Sequence, residues 1–133
     1  MKNFSITLCI SHLQDRMSGL HSYINCIESG KVAVLPSALP GFTAVTKWLC
    51  EHDMTGLSAE LVHISPKKKK ETLGLHDDFG VSAGVFTLIM GTDMIEFKDP
   101  GIHEIQVVVR HNESQKVFKS TKHPLQIAVL SPE

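Results

Sequence analysis

The chain has 133 residues, 42% of them hydrophobic, with thirteen basic and fourteen acidic side chains for a net charge of −1. That length suits one domain, residues 1–133, able to bury a core without metal or disulfide support, and the composition excludes a disordered chain. The balanced charge argues against a dedicated nucleic-acid binder, whose affinity rests on a basic excess.

The opening residues Met1-Lys2-Asn3-Phe4 alternate at once, without the continuous apolar stretch of a signal peptide. No apolar run approaches the roughly 20 residues of a membrane-spanning helix. The expected compartment is the cytoplasm, with no membrane partner.

Phe4 to Ile10 reads as a half-buried strand. Phe4, Ile6, Leu8 and Ile10 share one face, and Asn3, Ser5, Thr7 and Cys9 the other. Ser11 to Ser18 is polar and reads as a loop, with room for one helical turn up to Leu20. Gly19 opens a second strand, Leu20 to Ile27. Pro36, Pro40 and Gly41 mark residues 31–41 as a connection or an edge segment, because proline lacks the ladder donor. Phe42 to Cys50 is a strand carrying Trp48, and Gly56 turns the chain into the next, Leu57 to Ile64. Ser65-Pro66 followed by Lys67, Lys68, Lys69 and Lys70 is a hairpin tip or loop, since four adjacent ammonium groups stay in water.

Leu73 to Gly80 is ambiguous. Val81 to Met90 is apolar on both faces and reads as a central strand, interrupted at Gly91-Thr92-Asp93 before a short strand, Met94 to Phe97. Asp99-Pro100-Gly101 is a turn. Ile102 to His111 alternates most clearly, with His103, Ile105, Val107, Val109 and His111 on one face. A turn from His111 to Ser114 leads to Val117-Phe118, and Pro124 precedes a last strand, Leu125 to Leu130. About eight short strands (a range of about seven to nine) separated by turns predict an all-β fold: a two-sheet antiparallel β-sandwich, immunoglobulin-like or C2-like.

Asp99-Pro100-Gly101-Ile102-His103-Glu104-Ile105 resembles the D-x-G-x-Y-x-C corner of immunoglobulin-like domains, with His103 for the tyrosine and Ile105 for the cysteine. The phenol of that corner bonds a nearby backbone group, and an imidazole N–H suits the same task. Trp48, 22 residues beyond Cys26, departs from the immunoglobulin spacing. The whole chain is similar to an uncharacterised family of small bacterial β-sandwich proteins, a domain of unknown function. The likeness runs over Phe4 to Ile10, Gly19 to Ile27, Pro40-Gly41-Phe42, Pro100 to Val109 and Pro124 to Ile127. It implies a bacterial sandwich protein and carries over no site residue.

Several residue sets are candidates for chemistry. Gly80-Val81-Ser82-Ala83-Gly84 matches G-x-S-x-G, followed by Asp93 or Asp99 and then His103, His111 or His123. A working elbow needs a strand, a sharp turn and a helix, whereas the exit here is strand-like. His103 and His111 share a face but lie roughly 26 Å apart along a strand, too far to hold one ion. Asp77, Asp78, Asp93 and Asp99 lie near turns and suit calcium if those turns share one end of the sandwich. The Lys67–Lys70 run suits contact with an acidic protein, a lipid headgroup or nucleic acid, or is a solvated loop that discourages edge-to-edge pairing. Cys9, Cys26 and Cys50 are odd in number and lack a C-x-x-C pair; they read as buried free thiols of a reducing compartment, with Cys26 and Cys50 as candidate sheet neighbours.

No coherent constellation emerges, so no catalytic, cofactor-binding or metal residue is assigned and no cofactor is expected. The reading is a non-enzymatic protein-interaction or structural module, holding a protein partner or a second copy of itself. The alternative is a small-ligand or metal (calcium or zinc) binding domain, or a hydrolase using Ser82.

Overall fold

Period-two alternation builds strands along the whole described chain. The computed structural model describes residues 1–14, 21–26, 29–32 and 37–129, with side chains for 1–9 and 41–128. Among these residues there is no helix, and the strands are β1 (Lys2–Gln14), β2 (His21–Cys26), β3 (Ser29–Val32), β4 (Ser37–Cys50), β5 (Met54–Ile64), β6 (Lys70–Val81), β7 (Gly84–Phe97), β8 (Gly101–His111), β9 (Val117–Lys119) and β10 (His123–Val129). One sheet has the order β2-β1-β4-β7, the other β3-β10-β8-β5-β6. Pairing is antiparallel except between β3 and β10. β9 and β10 divide one edge of β8: β10 pairs Gly101–Ile105 and β9 pairs Val108–Arg110. Between them Ser120 exchanges two bonds with Val107, through its amide and its hydroxyl, and its carbonyl accepts from Gln106.

The inward stripe of β8 follows the expected parity, and β5 and the facing sheet complete the layer. Leu57, Ala59, Leu61 and His63 of β5 meet His103, Ile105, Val107 and Val109 of β8, all buried. Leu8, Phe42, Ala44, Trp48, Leu88, Met90, Ile95 and Phe97 oppose them from β1, β4 and β7. Each large apolar side chain fully removed from water contributes about 1.5–3 kcal/mol, so this interior dominates the stabilisation.

The structure departs from sequence expectation where pairing overrides local pattern. Phe4 is 51% exposed, because the register of β1 against β4 shifts between Asn3 and Ser5 and takes Phe4 off the Ile6–Leu8 face. Ser11–Gln14 extends β1 instead of looping, since β2 supplies its ladder; the suggested helical turn otherwise lies outside the described residues. Pro40 sits inside β4, opposite Met94. The β1 ladder on β4 begins only at Thr43, so Pro40 has a partner on one side alone among the described residues, as proline requires. At the adjacent Gly41 a β-carbon would lie 1.6 Å from the carbonyl oxygen of Thr92, which admits no other residue.

Leu73–Gly80 is strand, within β6. β7 is continuous through Gly91-Thr92-Asp93; what changes there is parity, with Leu88 and Met90 buried before it and Ile95 and Phe97 after it. β7 ends its sheet instead of lying centrally, which leaves Val85 65% and Ile89 49% exposed. Its far flank meets β6 at a glycine crossing, where a β-carbon on Gly74 would sit 3.1 Å from the Gly91 carbonyl. Cys26 stands opposite Cys9, not beside Cys50, whose register partner is Gly84.

One polar chain crosses the apolar layer. The Trp48 indole Nε1–H donates to Thr46 Oγ1 at 2.7 Å, and that hydroxyl donates to the Leu88 carbonyl at 3.2 Å. Both side chains are fully buried. Thr46→Val keeps the volume and removes both bonds, stranding the indole N–H, and is expected to cost about 1–3 kcal/mol. Urea unfolding, followed through Trp48 as the single tryptophan, measures it at unchanged m-value.

Candidate functional site

The lysine run closes the β5–β6 hairpin. Ser65 N–H donates to the Lys69 carbonyl, its own carbonyl accepts from Lys68 N–H, both at 2.9 Å, and its hydroxyl accepts from Lys69 N–H at 3.1 Å. Pro66 follows with its fixed φ, and Lys68 takes φ 66°, a left-handed conformation usually given to glycine. The hairpin stands beside the β7–β8 turn. Lys67 Nζ lies 3.2 Å from Asp99, Lys68 Nζ 3.6 Å from Glu104, and Lys98 Nζ 4.0 Å from Glu96.

These two connections enclose a cleft of about 360 Å³. Lys67, Lys69, Lys70 and Lys98 line it, with the carboxylates Glu71, Glu96 and Asp99 and the imidazoles His63 and His103. Lys69 and Lys70 have no carboxylate partner among the described residues.

The imidazoles meet because β5 pairs β8 with His63 opposite Ile105, which sets His103 two residues along on the same inward face. Their rings stack at 5.0 Å and 23°, and Phe97 presents its edge to both at 5.5 Å and 4.8 Å. His63 Nε2 lies 2.8 Å from His103 Nδ1, and His103 Nε2 lies 2.7 Å from the Asp99 carbonyl. A carbonyl only accepts, so His103 donates from Nε2 and, when neutral, accepts at Nδ1. His63 therefore donates from Nε2, and its Nδ1 carries a lone pair toward Glu71 Oε2, 3.6 Å away. Burial, and next the charge of His103, lower the proton affinity of His63 below the ordinary histidine value of 6.5, while hydrogen bonding and charge from Glu71 oppose them.

His103 thus makes the backbone bond that its place in the Asp99–Ile105 corner suggested. Its companion is His63, not His111, which bonds Ser114 at 2.7 Å. Sequence reading missed His63 and Glu71; the available signal was a histidine closing the inward stripe Leu57-Ala59-Leu61.

The remaining candidates are dispersed. Ser82 lies in the turn from β6 to β7, at the far end of the twelve-residue β6 from the cleft, or roughly 35 Å from Asp99 and His103. It is followed by a strand instead of a helix, and no described histidine bonds it. Asp77 and Asp78 are inside β6, Asp93 inside β7 and Asp99 at the cleft, so the four aspartates do not share one end. No group of three metal-ligating side chains occurs among the described residues. His123 is on β10, its Nδ1 buried without a partner. Cys9 and Cys50 are buried, with Sγ 3.7 Å from the Thr43 carbonyl and 3.0 Å from the His52 carbonyl. No helix among the described residues is long and apolar enough to cross a membrane.

No protein-family model and no curated protein matches the chain. Among solved structures it is similar to a family 123 glycoside hydrolase from Clostridium perfringens, studied for glycolipid glycan hydrolysis. The identity is 10% and the TM-score 0.45, over 97% of this chain and 28% of that one. The match assigns this chain neither a family nor an activity.

Two outcomes follow. Lys68→Gly relieves the left-handed lysine and is expected to stabilise the fold by about 0.5–1 kcal/mol, read as a higher urea midpoint. Because folding lowers His63's proton affinity, the unfolded chain takes up that proton first as pH falls through 6.5. This contribution to stability is complete above 6.5 and declines below it until the pH passes the folded value. The stability difference between about pH 7.5 and pH 5.5 should therefore be smaller in His63→Gln than in the native chain, measured by urea unfolding at each pH.

Proposed function

We propose that the chain is a non-enzymatic binding module that holds an acidic segment of a protein partner at the lysine-lined cleft. The observation that carries this reading is convergence: three lysines of one hairpin and Lys98 of another connection surround a single cleft, and two of them lack a carboxylate partner among the described residues. A cleft of about 360 Å³ is of ligand-binding size and admits carboxylate side chains. Exposed ammonium groups keep their charge and flexible reach, which suits attraction of an extended acidic chain more than rigid recognition of one small molecule.

The test is fluorescence anisotropy of a labelled hexa-aspartate peptide at low ionic strength. Lys69→Glu/Lys70→Glu should weaken binding by about tenfold or more, and added salt should weaken it in the native chain. Lys116→Glu/Lys119→Glu, just before and at the end of β9, should leave it within about twofold. Equal losses in the two double variants would overturn the cleft as the site. Free citrate that competes at the same concentration of carboxylate as the peptide would replace the protein segment by a small polyanion.

A further inference from the structure

We infer that His63 is a proton-operated switch of the cleft: a proton taken up at Nδ1 engages Glu71 and raises the affinity of the cleft for anions. This rests on the cleft being an anion site, as proposed above, and adds how that site is regulated.

The argument begins with polarity. The Asp99 carbonyl fixes the direction of the pair, so His103 has both nitrogens committed and His63 has only Nδ1 open. Nδ1 faces the cleft, with Glu71 Oε2 3.6 Å away. With His63 neutral, lone pair faces carboxylate and no hydrogen joins the two directly. With His63 protonated, Nδ1–H donates to that carboxylate and the contact becomes a charge-assisted bond.

The same proton changes the balance of the cleft. The charged and titratable groups that share the cleft with His63 are Glu71 and Lys70 from β6, Lys67 and Lys69 from the hairpin, Glu96, Lys98 and Asp99 from β7 and its following turn, and His103 from β8. Four lysines stand against three carboxylates there, so one added imidazolium is a large fractional change in net charge. Glu71, with its side chain 62% exposed, is the carboxylate an incoming anion would meet next to Lys70, and its engagement by His63 screens it. Both effects favour the anion. Linkage then requires the converse: an anion in the cleft must raise the proton affinity of His63.

Imidazole nitrogen NMR on the full chain tests this, with inorganic sulfate as the probe and chloride at equal ionic strength as its control. Neutral His63 should carry its proton on Nε2. Sulfate near saturation should raise its titration midpoint by about 0.5 pH, corresponding to about threefold tighter binding of sulfate to the protonated form. The rise should vanish in Lys69→Glu/Lys70→Glu, and Glu71→Gln, an exposed and conservative change, should lower the midpoint without sulfate. A midpoint indifferent to sulfate, or unchanged by Glu71→Gln, would overturn the switch. The two readings fail separately. A sulfate response without hexa-aspartate binding removes the protein segment and keeps the switch; peptide binding with an indifferent His63 does the reverse.

Discussion

The pairing of β5 with β8 holds both the interior and the cleft. Its register sets Leu61 against Val107 and Ala59 against Val109, the centre of the dry layer, and the same ladder carried one step further sets His63 against Ile105. A slip of one residue would turn every one of these side chains to the opposite face, so the register that buries the core also brings the two imidazoles together. These polar groups in the layer are tolerated because each has a hydrogen-bond partner: Thr46, two residues back on the same strand, for Trp48; His103 of the neighbouring strand for His63; and the Asp99 carbonyl of the β7–β8 turn for His103.

The strands β5 and β8, and the inward face of β8, were legible in the sequence because β8 is half-buried, where alternation is the burial signal. Legibility failed where a second constraint acted. The bulge at Phe4 is decided by the β1–β4 ladder and leaves no local mark. The apolar run ending at Met90 looked central, yet β7 closes its sheet and shows Val85 and Ile89 to solvent. Ser11–Gln14 is polar and still a strand, since its partner β2 supplies the bonds.

The cleft was half legible. The lysine hairpin announced itself through Pro66 and its charge, and His103 through the Asp99–Ile105 corner. What joins them is strand order, which no spacing within one strand contains. His63 and His103 are forty residues apart in sequence and adjacent only because β8, not β6 alone, flanks β5.

The Asp99 carbonyl has one more consequence. It is a terminus that accepts a hydrogen but cannot pass one on, so the two rings form a cul-de-sac instead of a conduit. A proton reaching His63 through the mouth of the cleft has no onward path beyond His103 and leaves the way it came. Such an arrangement stores charge in step with its surroundings, with the interior behind Phe97 kept outside the exchange.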